Sequence, residues 1–109
     1  MKKRLLLSLL AAVSTVQAAS FDFIKATAAD EKAICANRVL NDKDVEMATQ
    51  YRFLKGLFAM GGRGAMQDRQ QVWLKQRKSC KSDSTCLNKR YDERIRELNT
   101  IYERINKPL

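Results

Sequence analysis

Three cysteines, a lone tryptophan and a glycine cluster are the residues of this 109-residue chain whose types and spacing invite chemistry. Cys80 and Cys86 flank a polar, turn-like stretch from Lys81 to Ser84, so they form the natural disulfide pair. Closing so short a loop stabilises a fold by about 2 kcal/mol in the chain-entropy treatment. Cys35 is then left over, either as an unpaired thiol or as the link in an intermolecular bond, which gives a monomer or a Cys35-linked dimer. A reactive thiol needs a neighbouring positive group to lower its pKa. The flanking Ile34 and Ala36 put Cys35 on a packed helix instead. There is no Cys-x-x-Cys redox motif. No metal site is expected, because the chain lacks histidine and its cysteine spacing fits no zinc pattern.

The same lack of histidine removes the commonest general base, and no catalytic residues are expected: the sequence reads as a non-enzyme without a cofactor. Gly61-Gly62-Arg63-Gly64 could cradle a phosphate, since glycine-rich backbone binds anions. No strand precedes it and no Gly-Lys-Ser/Thr follows, so a helix-ending turn is the better reading. Asp42, Asp44 and Glu46 are acidic neighbours, and the first two are explained as helix-start charges that favour the dipole. Trp73 reads as core, with an exposed partner anchor as the alternative. Gln70 and Arg77 flank it at i−3 and i+4, either as buried polar groups that orient a hairpin or as part of a recognition face.

The elements that must position these residues are helical. Thr27 with Asp30 resembles a capping box ahead of a first helix over Ala28 to Ala36. Asn41 repeats the cap signal for a second helix that runs to about Met60, with Val45, Ala48, Tyr51, Leu54, Leu57 and Phe58 as its buried stripe. A third helix spans about Ala65 to Cys80, with Met66, Gln70, Trp73, Leu74 and Arg77 on one face. A fourth starts near Ser84 and ends before Lys107-Pro108, with Leu87, Tyr91, Ile95, Leu98, Tyr102 and Ile105 as its stripe. The expected fold is all-α, about four helices, with helices three and four in an antiparallel hairpin clamped by Cys80 and Cys86.

The N-terminus carries a different message. Met1-Lys2-Lys3-Arg4 is followed by an apolar region of nine residues, Leu5 to Val13, and Val16-Gln17-Ala18 places small side chains for cleavage. That is the layout of a cleavable signal peptide over residues 1–18, cut after Ala18 or, as next choice, Ala19. The apolar run is less than half the roughly 20 residues of a spanning helix. Residues 19–109 then form a single domain, expected in a Gram-negative periplasm or fully secreted, where disulfides persist. Without Lys2, Lys3 and Arg4 the formal charge of +9 becomes +6. Such a surface favours anionic partners, or is simply a solvated helical surface rich in Lys and Arg. Export argues against nucleic acid, and no aromatics interleave with the basic residues.

The order of residues also resembles a family. Phe21-Asp22 is followed by Glu31-Lys32-Ala33-Ile34-Cys35, then Leu40 to Asp44 and Tyr51. Next come Gln70-x-x-Trp73-Leu74-x-x-Arg77-x-x-Cys80, Cys86-Leu87, and Tyr91-x-x-Arg94-Ile95-x-x-Leu98. This is similar to the N-terminal domain of the LprI-type lysozyme-inhibitor family, small exported helical modules of bacteria. The resemblance covers nearly all of residues 19–109. It implies a non-catalytic binding module that inhibits a lysozyme or another cell-wall hydrolase. It also implies a second disulfide, from a cysteine after Phe-Asp to the one in Ile-Cys. Here the first of those positions is Phe23, so the staple to Cys35 is lost and the N-terminal segment is left to the packing of Phe21, Phe23 and Ile24. The charge favours an alternative, a basic envelope protein that binds an acidic protein or anionic component. Lysozymes of the c-type are themselves basic, and like charges slow encounter.

Overall fold

The computed structural model describes residues 18–58 and 60–106. Residues 1–17 of the leader and Lys107-Pro108 therefore lie outside the described residues. Four α-helices follow a short 3₁₀ turn at Phe23–Lys25: α1 Ala29–Ala36, α2 Arg38–Leu57, α3 Met60–Ser79 and α4 Ser84–Asn106. No strand occurs among the described residues. The all-α expectation holds, and so does the clamped hairpin. Cys80 directly follows α3, Cys86 lies in the first turn of α4, and the two are disulfide-bonded across a Cα–Cα distance of 5.5 Å.

α2 and α4 pack together most extensively and run parallel, because Lys43 meets Asp92, Gln50 meets Asn99 and Phe53 meets Tyr102 in ascending order. α3 runs antiparallel to α4 beside them, with Arg77 near Tyr91, Gln70 on Arg94 and Arg69 on Glu97. α1 lies against α2 and α3. The core is built from Ile34, Leu40, Met47, Leu54, Trp73, Leu87, Tyr91 and Leu98. Each such large apolar side chain contributes about 1.5–3 kcal/mol by leaving water.

Several local expectations are corrected. The cap of α2 is Asn37, whose side chain accepts from the Leu40 amide at 3.2 Å; Asn41 sits inside the helix. α1 has no side-chain cap, because its N-cap is Ala28, whose methyl cannot accept, and Asp30 turns inward to Arg77. The glycine cluster does not end α2. The break comes at Phe58, which is extended (φ −92°, ψ 146°), and the glycines lie in the opening turns of α3. Gly62 has a packing reason to be there: a Cβ on it would come within 3.0 Å of the Phe58 ring. α4 begins where expected, capped by Asp83, whose carboxylate accepts from the Thr85 and Cys86 amides. The chain turns into it through Lys81, which adopts a left-handed conformation at φ 55°.

Candidate functional site

The chemistry-bearing side chains meet in the interior, around Arg77. Its position on α3 follows from the face 66-70-73-77-80, all of which is buried. Arg77 Nε donates to Asp30 Oδ2 of α1 at 2.9 Å, and its Nη1 lies 3.6 Å from Asp44 Oδ1 of α2. Asp44 is fully buried, and Asp30 and Arg77 are only 2% and 5% exposed. Asp44 also accepts from the Tyr91 hydroxyl of α4 at 2.7 Å and from the Ser20 amide and hydroxyl at 2.8 and 2.6 Å. One carboxylate therefore ties the N-terminal segment, α2, α3 and α4 together. Buried charges survive only with such partners. The rings of Phe21 and Trp73 lie 5.2 and 5.8 Å from the guanidinium carbon, adding cation–π contacts.

Electrostatics follow from this geometry. Burial opposes the Arg77 charge, but Tyr91, Asp30 and Asp44 more than offset it and hold its pKa above the ordinary guanidinium value. Burial, then the charge of Asp44, push the Tyr91 phenol far up, so it stays a neutral donor. Burial, with Glu31, Asp44 and Asp22 nearby, raises the Cys35 thiol, which is the opposite of activation.

A second cluster lies about two turns back along α3, at Gln70. Arg94 Nε donates to Gln70 Oε1 at 3.0 Å, and Gln70 Nε2 reaches Met47 Sδ of α2. Arg94 Nη1 pairs with Glu97, which also accepts from Arg69 at 3.0 Å. Burial pulls the Arg94 pKa down, and Glu97 only partly offsets this. Burial would raise Glu97, but hydrogen bonds from Arg69 and Arg94 prevail and hold its carboxyl below the ordinary value. Trp73 completes the set: it is buried, donates Nε1–H to the Arg90 carbonyl at 3.0 Å and meets Tyr91 edge-on at 5.2 Å.

The structure thus brings Gln70, Trp73, Arg77, Tyr91, Arg94 and Leu98 into one interior, with Leu74 and Ile95 half-buried at its edge. The core reading of Trp73 holds, and Gln70 and Arg77 are buried polar groups. Cys35 is a free thiol whose Sγ lies 3.7 Å from the Phe23 carbonyl oxygen. Phe21 and Phe23 pack edge-to-face at 4.9 Å, but Ile24 is 94% exposed and does not help to hold the segment. The residues missed from sequence are Asp30, Asp44, Ser20 and Glu97. Asp44 is a corrected expectation: it is no helix-start charge, being six residues into α2 and fully buried. Its signal was positional, since 40-44-47-51-54 is the inward stripe of α2 and Asp44 occupies a core place in it.

Clefts open on the surface of the described residues. One, of about 230 Å³, opens beside Asp30, Glu31, Arg77 and Lys78. A second, of about 310 Å³, lies against Phe58, Met66, Arg69 and Arg94. A third, about 380 Å³ and apolar, lies between α2 and α4 beside Phe53 and Tyr102, both about half exposed. Among the described residues, no helix is long and apolar enough to cross a membrane and no group of side chains could hold a metal ion. The disulfide points to an oxidising compartment outside the cytoplasm. Comparison with protein-family models, characterised proteins and solved structures finds no match for the chain.

Proposed function

We propose that this is an exported, non-catalytic binding module of the lysozyme-inhibitor type, acting in the bacterial periplasm on a cell-wall hydrolase. The observation that carries the reading is the contact between Phe23 and Cys35. The resemblance implies a staple between these two positions, and the Cys35 thiol lies against the Phe23 backbone carbonyl although position 23 is not a cysteine. The use of Arg77, Asp44, Tyr91 and Arg94 as internal ties supports the non-catalytic part. Each is committed to another buried group, so recognition falls to the outer surface.

A second reading is favoured by the charge of +6 on residues 19–109: a basic envelope module that binds an acidic protein or anionic component. Salt separates the two. Binding to a hydrolase through close contacts persists at 0.5 M salt, where exposed charges are screened within a few ångströms. Binding to anionic vesicles or an acidic protein is lost there. Sedimentation of the purified protein with lysozymes, and with anionic vesicles, at low and high salt distinguishes them. No salt-resistant complex with any hydrolase refutes the first reading.

A further inference from the structure

The proposed start of the processed chain falls beside its most buried carboxylate. The Ser20 amide nitrogen is 2.8 Å from Asp44 Oδ2, and Ala19 is itself buried. The surrounding interior holds two carboxylates, Asp30 from α1 and Asp44 from α2, against one guanidinium, Arg77 from α3. Tyr91 from α4 is a neutral phenol. Arg52 of α2 is exposed and engages the carbonyls of Ala18 and Ala19. Glu31 of α1 and Lys78 of α3 line the open cleft beside Ser20 and offset one another. The buried set of Asp30, Asp44 and Arg77 therefore carries one negative charge in excess, and such an imbalance is costly where the groups themselves are shielded from water.

We infer that the α-ammonium released by leader removal is a built part of this core, paired with Asp44. The inference rests on the export reading above. Cleavage after Ala19 puts the ammonium in the place of the Ser20 amide nitrogen. Cleavage after Ala18 puts it one residue earlier, on Ala19, which is itself buried. In the precursor the same nitrogen is a neutral amide, which keeps the hydrogen bond and lacks the charge. Processing thus supplies the missing positive charge and stabilises the folded state. The precursor is the less stable form, which suits a chain that must stay unfolded for export.

The test compares the processed protein, its N-terminus fixed by intact mass, with an α-acetylated form and with one extended by four residues. At pH 7 the processed protein is expected to have an unfolding constant about tenfold smaller than either, equivalent to roughly 5–11 °C in Tm for a domain of this size. An ammonium beside a carboxylate has a raised pKa. Its contribution is complete below the ordinary α-amino range of about 7.7–8.0 and is lost as pH rises through the folded value. The gap to the acetylated form therefore closes in alkali. Asp44→Asn also abolishes the gap; if that variant does not fold, the alkaline closure carries the test. Equal Tm for free-amine and acetylated forms at pH 7 overturns the inference. A retained leader overturns the export reading instead. In that case a chain released from a fusion with Ala19 or Ser20 first still tests the amine site by the same comparison.

Discussion

Replacing Asp44 with alanine should unfold much of what the interior holds together, while replacing Asp42 should do almost nothing. The two acids stand two residues apart on α2. Asp42 is exposed and Asp44 is fully buried. Asp44→Ala removes the acceptor for the Tyr91 hydroxyl and for both Ser20 donors, and one of the two carboxylates facing Arg77. Breaking a buried pair from one side costs roughly 3–5 kcal/mol. Arg77 retains Asp30 at 2.9 Å, so the lower end, about 3 kcal/mol, applies. At roughly 0.05–0.15 kcal/mol per residue, a domain of this size has about 5–14 kcal/mol in total. The loss corresponds to a Tm drop of roughly 12–24 °C. Urea unfolding followed by circular dichroism measures it, with Asp42→Ala expected within about 0.5 kcal/mol of the parent. Equal effects from the two substitutions, or a loss below about 1 kcal/mol for Asp44→Ala, would refute the assignment of Asp44 as the central tie.

Phe23→Cys should form a bond to Cys35, taking the free-thiol count from one to zero and adding roughly 2–4 kcal/mol; two free thiols after mild oxidation would count against the register of this segment. Gly64→Ala should stabilise α3 by about 0.5–1 kcal/mol, since nothing lies within 4 Å of the added carbon, whereas Gly62→Ala should not, because Phe58 stands in the way. Chemical denaturation of the two variants side by side reads the difference. Glu97 has a depressed carboxyl pKa, so its contribution is present above the unfolded value of about 4.3 and lost as pH falls through the folded one. Glu97→Gln should flatten the acid limb of the Tm–pH profile, modestly because the side chain is partly exposed, and an unchanged acid limb would show that its pairing with Arg69 and Arg94 is not felt.

Much of this fold is legible in the residues because the signals are local. The 66-70-73-77 face of α3 is read directly from spacing, and the Cys80 to Cys86 clamp follows from a short polar turn between two periodic segments. Legibility fails where a polar residue stands in a core position. An aspartate at 44 looks like a dipole partner, so the apparent stripe of α2 shifts to Val45, and the true one through Leu40, Met47 and Leu54 is obscured. Asp30 deceives in the same way, reading as half of a capping box while pairing with Arg77 47 residues away. Arg94 is fully buried beside an apparently apolar stripe for the same reason. The glycine cluster misleads because helix breaking is a propensity, and the need to admit the Phe58 ring at Gly62 outweighs it.

The most direct test of the central claim, a hydrolase-binding module on a helical scaffold held by internal ion pairs, is titration of lysozyme activity with the processed protein across several lysozyme types. The account predicts saturable loss of activity with one type at a one-to-one stoichiometry, unchanged in Asp42→Ala. Full activity of every lysozyme at micromolar protein would contradict it.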